Sequence, residues 1–239
     1  MIRLDKYLSD AGICSRSDAR KIIRAGRISV DGVAVTKPEA KIDEGALVTA
    51  DGIPVSWSQE RYYMLYKPAG IITATEDEDQ KTVLDLFPKE LRKGLSPAGR
   101  LDKDTTGLLL LSTDGDWIHR IITPKKMVPK VYLAETEGTP TEDDVRRLSE
   151  GIELGDGTKC LPARLEVLDD GQCRVTVYEG KYHLVKRMLA ACGKPVQKLH
   201  RESIGALSLC KSLKPGDFRP LTEQEIRDVF STNSRISDL

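Results

Sequence analysis

Apolar positions near the start of the chain recur at helical spacing. Ser15, three residues before Asp18, reads as a capped helix start, Ala19, Ile22 and Ile23 form an apolar stripe, and Gly26 ends it. The opposite face carries Arg16, Arg20, Lys21 and Arg24, with Arg27 just past the glycine. Next, Ile28-Ser29-Val30 and Val33-Ala34-Val35 alternate around Asp31-Gly32, the pattern of a two-residue hairpin. Residues 50–60 show no sustained period and hold Gly52, Pro54 and polar residues around Trp57, which predicts a linker.

Downstream, the apolar runs Tyr62–Tyr66, Leu108–Leu111, Val131–Ala134, Leu165–Leu168 and Arg174–Tyr178 read as strands, several too continuously apolar for a sheet wet on one face. Helices are predicted after Thr141, paired with Asp144, over His183–Ala191, and after Thr222, paired with Glu225. Strands and helices do not alternate regularly, and no glycine-rich nucleotide-binding motif occurs. The predicted class is α+β: a small N-terminal domain over 1–50, a linker over 51–60, a larger domain over 61–230 and a frayed tail over 231–239.

Composition adds a constraint. The 239 residues are 39% hydrophobic and 31% charged, which excludes a mostly disordered chain. Net charge is zero, so a surface for polyanions has to come from segregated charge. Segregation is present: residues 1–30 hold Arg3, Lys6, Arg16, Arg20, Lys21, Arg24 and Arg27 against Asp5, Asp10 and Asp18. Arg20 and Arg24 at i,i+4 repel by a few tenths of a kcal/mol, roughly, a cost that a polyanion would relieve. An ordinary solvated helix face accounts for the same residues equally well. The five cysteines have no C-x-x-C spacing and no apolar run is long enough to span a bilayer, so the expectation is a cytoplasmic protein with reduced thiols and no membrane association.

Chemistry is concentrated in Pro97–Gly107, a polar, turn-rich segment running into four leucines. A carboxylate on a loop anchored by a buried strand is rigid yet accessible, as a nucleophile or general base must be. Asp102 and Asp104 both fit, and spacing does not choose between them. His119, His183 and His200 are too dispersed for metal-ligand spacing, so no metal is expected.

Two resemblances sharpen this picture. The run RLDKYLSDAGICSRSDARKIIRAGRISVDG is similar to an S4 domain, a small RNA-binding module. GRLDKDTTGLLLLSTDGDWIHRI resembles the signature of the RsuA/RluA-type pseudouridine synthases; KPAG (Lys67 to Gly70), the PKVY run ending at Tyr132 and EGKYHLVKRM (Glu179 to Met188) follow in that family's order. Leu184 stands where the family commonly has Gln after the His of the last motif.

The resemblance implies isomerisation of uridine to pseudouridine in ribosomal RNA, with 16S rRNA as the expected target. It makes Asp102 the catalytic carboxylate, as nucleophile or as stabiliser of the sugar cation, Tyr132 the residue stacking on uracil, and Lys186 the ion-pair partner of Asp102. That pair is worth about 4 kcal/mol at 4 Å and a dielectric of 20 before desolvation. Arg100 is expected to fill the space of the extruded nucleotide or hold its phosphate. Arg187 and Lys67, with Arg3, Arg16, Arg20, Lys21 and Arg24, are the expected RNA contacts. Isomerisation is redox-neutral and needs no group donor, so no cofactor is expected. The expected partner is rRNA within a small-subunit assembly intermediate, bound by a monomer. A large-subunit rRNA enzyme of the same superfamily and a non-catalytic S4-type assembly protein are the alternatives.

Overall fold

The computed structural model describes residues 1–11, 13–43, 45–55, 60–168 and 171–231. The chain forms two compact units, Met1–Arg61 and Tyr62–Leu239.

In the first unit β1 (Ile2–Arg3) leads into α1 (Leu4–Asp10) and α2 (Arg16–Arg24), followed by β2 (Ile28–Val30), β3 (Val33–Ala34), β4 (Lys41–Ile42), β5 (Val48–Ala50) and β6 (Ile53–Val55). Ser15 caps α2, its hydroxyl accepting from the Asp18 amide at 3.2 Å. Leu4 and Leu8 of α1 and Ala19 and Ile23 of α2 bury their apolar face against Ile28, Val48 and Val55 of an antiparallel sheet ordered β3-β2-β5-β6. Asp31 (φ 50°) and Gly32 (φ 81°) make the tight turn that the hairpin pattern requires.

Asp51 and Gly52 repeat those angles, at 50° and 81°. Residues 51–55, expected to open the linker, therefore close a second hairpin with Val55 buried in the core. Periodicity hid this strand because it is short, has Ile53 and Pro54 exposed, and lies at the sheet edge, where proline is tolerated. Residues 56–59 of the expected linker and 232–239 of the expected tail lie outside the described residues.

The second unit contains β7 (Tyr62–Lys67), α3 (Lys89–Arg92), β8 (Ser96–Pro97), β9 (Thr106–Ser112), α4 (Gly115–Ile122), β10 (Lys130–Thr136), α5 (Glu142–Glu150), β11 (Arg164–Val167), β12 (Gln172–Val177), α6 (Leu184–Ala191), β13 (Val196–Ile204), β14 (Leu207–Ser208), β15 (Phe218–Pro220) and α7 (Glu223–Asp228). The sheet runs β11-β12-β10-β13-β9-β7-β15, with β14 on β13 and β8 on β9. Its pairings are antiparallel except β9 with β13, giving the mixed, mostly antiparallel sheet of an α+β fold.

The leucine run of β9 is buried on both faces. Leu109 and Leu111 pack with Tyr63, Leu65 and Phe87, while Leu108 and Leu110 pack with Met64, Trp117, Ile121 and Val229. A third cluster places α5 and α6 over β10 and β12 through Leu148, Val185, Met188, Leu189, Ala134 and Val175. Tyr132 packs against this cluster and against the one around Phe87, so it stands at the seam between two cores.

Two elements escaped the pattern reading. α4 is capped by Asp114, whose carboxylate accepts from the Asp116 and Trp117 amides, both at 3.0 Å, but Gly115 and Asp116 make its first turn look like a loop. β13 is rich in polar residues, among them Gln197, Lys198, His200 and Glu202, and merged into the basic stretch around α6. Its internal position is recorded by the burial of Arg201 and Ser203. Gly107 permits the parallel contact: a Cβ there would come within 2.3 Å of the Arg201 carbonyl oxygen.

Candidate active site and RNA-facing surface

The loop between β8 and β9 is fastened from beneath. Thr73 clamps Leu101 at both ends, its Oγ1 donating to the Leu101 carbonyl at 2.8 Å and accepting from the Leu101 amide at 3.1 Å. The Gly70 amide donates to the Lys103 carbonyl at 2.7 Å. Lys67, fully buried, donates from Nζ to the carbonyls of Pro68 and Asp102, both at 3.0 Å, and Thr105 at 2.9 Å. Burial lowers its pKa to about 8 against the pull of Asp104 and Asp102. Lys67 is therefore not the expected RNA contact. Its ammonium is spent on loop carbonyls, which makes the KPAG run a clamp for the loop that carries Asp102.

Asp102 projects from this loop with its side chain 25% exposed. Its Oδ2 lies 3.3 Å from Lys186 Nζ and its Oδ1 lies 3.3 Å from His183 Nε2, both groups coming from the start of α6. The expected Asp102–Lys186 pair is thus present as geometry, but Lys186 is shared: Asp104 Oδ1 approaches Nζ to 2.6 Å. Burial opposes the charge on Lys186, and the bond to Asp104 with the charge of Asp102 outweighs it, so the lysine pKa is raised. Asp104 is lowered by the same bond and remains mostly exposed.

Asp102 lines a cavity of about 800 Å³ together with Arg100, Lys130, Tyr132, His183 and Arg201. Arg100 is exposed at the edge of the loop. Tyr132, half-buried on β10, accepts at its hydroxyl from Arg201 Nη1 at 3.3 Å. Lys130 donates to the carbonyls of Ile121 at 3.1 Å and Val128 at 2.9 Å, and burial, with Arg201 nearby, lowers its pKa to about 8. At the cavity rim the ring of Tyr182, 75% exposed, stacks on His183 at 3.7 Å between centroids. His183 holds a left-handed φ of 50°, a costly conformation for a non-glycine residue and one found at functional sites.

Arg187 is held elsewhere. It pairs with Asp156 at 2.6 Å, which ties α6 to the loop before β11, and it does not line the cavity. Pattern reading missed His183, Lys130 and Arg201; the first sat inside a quoted motif, whereas nothing local distinguishes a buried arginine in a polar strand. Among the described residues no three His, Cys, Asp or Glu side chains are grouped so as to hold a metal ion, and no helix is long and apolar enough to cross a membrane.

In the first unit the basic face is organised around an acid. Asp5 is fully buried and pairs with Arg3 at 3.0 Å, Arg20 at 3.1 Å and Arg16 at 3.6 Å. Hydrogen bonding by Arg3, opposed by burial and aided by Arg20 and Arg16, holds its carboxyl far below the usual range. The repulsion expected along α2 is therefore compensated by Asp5, a residue counted only as an opposing charge in the sequence. The three arginines remain 44%, 48% and 46% exposed, Lys21 pairs with Asp18 at 2.8 Å, and Arg24 is exposed outside these pairs.

Comparison with known proteins gives this arrangement a family. Residues 61–191 match the RNA pseudouridylate synthase family, and residues 2–48 match the S4 domain. The chain is 43% identical over 233 residues to the ribosomal small subunit pseudouridine synthase A of Vibrio parahaemolyticus, with 96% of this chain and 100% of that protein covered. The Escherichia coli protein of the same name is 43% identical over 232 residues, covering 95% and 100%. A solved pseudouridylate synthase superposes with a TM-score of 0.69 at 38% identity, covering 96% of this chain and 100% of that one. With the matched segment enclosing Asp102, Tyr132 and Lys186 and the likeness running the length of the chain, this protein belongs to the RNA pseudouridylate synthase family.

Proposed function

We propose that the chain converts uridine to pseudouridine in 16S ribosomal RNA, with Asp102 as the catalytic carboxylate. The observation that carries this reading is the placing of Asp102, on a loop fixed by Lys67 and Thr73, in one cavity with Tyr132 and in contact with Lys186 and His183. Isomerisation breaks the bond from C1′ of ribose to N1 of uracil and joins C1′ to C5, with one proton lost at C5 and one gained at N1. Asp102 supports the sugar carbon as the first bond breaks, and Lys186 keeps the carboxylate charged beside RNA phosphates. Tyr132 offers the freed base a stacking face, an interaction worth about 1–3 kcal/mol per base. Arg100 contacts the extruded nucleotide, whose removal from the stack costs a few kcal/mol, roughly.

The half-exposed arginines around Asp5, with Lys21 and Arg24, bind RNA phosphates. The small-subunit target follows the names of the relatives. The substrate is an assembly intermediate of that subunit in the cytoplasm, and the enzyme acts as a monomer. Carbodiimide primer extension on rRNA from cells with and without the protein tests the reading. Loss of one stop in 16S rRNA is expected. Loss confined to 23S rRNA, or no loss, would overturn it.

A further inference from the structure

Arg201 is 2% exposed and reaches the cavity from β13, the strand whose parallel contact with β9 depends on Gly107. Its Nε donates to the Leu108 carbonyl at 2.7 Å and its Nη1 to the Tyr132 hydroxyl at 3.3 Å. The remaining nitrogen, Nη2, is buried and has no hydrogen-bond partner among the described residues. Thr105 Oγ1, on the same cavity wall, is buried and unpartnered too. Buried donors are rarely left unused, and a charged one is the costliest to leave so.

The charge around Nη2 is also one-sided. Neither Arg201 nor Lys130 enters an ion pair among the described residues. The acids at the cavity are engaged: Asp102 with Lys186 and His183, and Glu179 with Lys181 at 2.8 Å. The inner wall beside Tyr132 thus presents two buried cations and a free donor, an environment for a group that accepts hydrogen bonds and gains negative charge. A uracil against the Tyr132 ring is such a group.

We infer that Arg201 Nη2 donates to a carbonyl oxygen of the target uracil and that Arg201 and Lys130 together stabilise the negative charge the base carries once its glycosidic bond breaks. The inference rests on the reading of the site as a uridine isomerase. When C1′–N1 breaks, the bonding pair stays with the base and spreads over N1 and the two carbonyl oxygens. When C5 bonds to C1′ the charge leaves the ring, C5 gives up its proton and N1 takes one, so nothing is consumed. Arg201 is then a catalytic residue contributed by a strand that none of the family-like motifs includes.

The leaving ability of the base supplies the test. Fluorine at C5 withdraws electrons, and a fluorouracil anion needs less help from a donor. Arg201→Gln is expected to slow single-turnover consumption of a target uridine about 10²–10³-fold, the range for loss of one preorganised donor. RNA affinity should stay within a few fold, and the loss on RNA with 5-fluorouridine at the target should be at least about tenfold smaller. Arg201→Lys, which keeps charge but not the second donor, should fall between. An equal loss on both RNAs, or no loss, would overturn the inference and make Arg201 a strut between β9 and β13. If Arg201→Gln does not fold, Arg201→Lys carries the comparison, and the unaltered enzyme must bind 5-nitrouracil, an anion at neutral pH, more tightly than uracil; equal or weaker binding would overturn it. An unaltered enzyme that makes no pseudouridine in either rRNA instead defeats the functional reading.

Discussion

Lys186 Nζ stands 2.6 Å from Asp104 Oδ1, closer than its 3.3 Å approach to Asp102. An exposed ion pair is worth about 0–1 kcal/mol, so the shorter bond to the more exposed acid steadies Lys186 without supplying much energy. Asp104→Asn should therefore cost less than about tenfold in single-turnover rate, because Lys186 keeps Asp102. Lys186→Met should cost about 10²-fold or more, since it removes a preorganised charge. Stopped-time assays of pseudouridine formation at saturating enzyme compare the two. A larger loss in Asp104→Asn would reassign the acid that Lys186 serves.

Lys130 gives a pH signature with opposite signs for activity and stability. Burial lowers its pKa to about 8, below the ordinary lysine value. As pH rises through 8 the folded protein loses this proton while an unfolded chain keeps it to about 10.4. The folded state thus binds fewer protons in that window, and the Lys130 contribution to stability rises with pH, by up to about 3 kcal/mol. The same loss of charge removes support for the uracil anion, so activity should fall above pH 8. Urea titrations of wild type and Lys130→Met at pH 7 and pH 10 should show wild type gaining relative to the variant, and the variant's rate should lack the alkaline fall.

Asp5 should matter to the first unit out of proportion to its single charge. Asp5→Asn leaves Arg3, Arg16 and Arg20 without their common anchor and should cost about 2 kcal/mol, less than a fully buried pair because the arginines can turn to water. The folded carboxyl lies well below its unfolded value, so this contribution is complete at neutral pH and disappears only as pH falls through the lowered value. Differential unfolding of wild type and variant at pH 7, 5 and 3 checks the size and its persistence. RNA binding by the variant should also lose part of its salt dependence, since fixed arginines release more counterions than mobile ones.

Gly107 is a structural requirement of the site. A methyl group there would lie 2.3 Å from the Arg201 carbonyl oxygen and 2.6 Å from its nitrogen, at a φ of +109°. Gly107→Ala should cost more than about 3 kcal/mol by forcing β9 and β13 apart. Urea midpoints measure it, and a shift within experimental error would remove the close contact from the account.

What the sequence disclosed and what it hid follow from the range of the interactions. Capping pairs such as Ser15–Asp18 and Thr141–Asp144 and the Asp31-Gly32 turn are local, and each is visible in a few residues. Asp102 and Lys186 were legible because they sit in recognisable motifs. Lys67 was misread for the same reason: the motif marks its position but not the burial that turns its charge inward. Asp5, Lys130 and Arg201 look like surface charges in any window of sequence, and only long-range pairing, as in the parallel contact of β9 with β13, buries them.

The most direct test of the account is pseudouridine formation by the purified protein on a 16S rRNA transcript or small-subunit assembly intermediate, wild type against Asp102→Asn. The exchange removes one charge at the carboxylate that faces Lys186 and His183 while keeping its shape. Wild type is predicted to convert a uridine, and Asp102→Asn to convert none while binding RNA within a few fold of wild type. Conversion by Asp102→Asn at a rate near wild type would contradict the account.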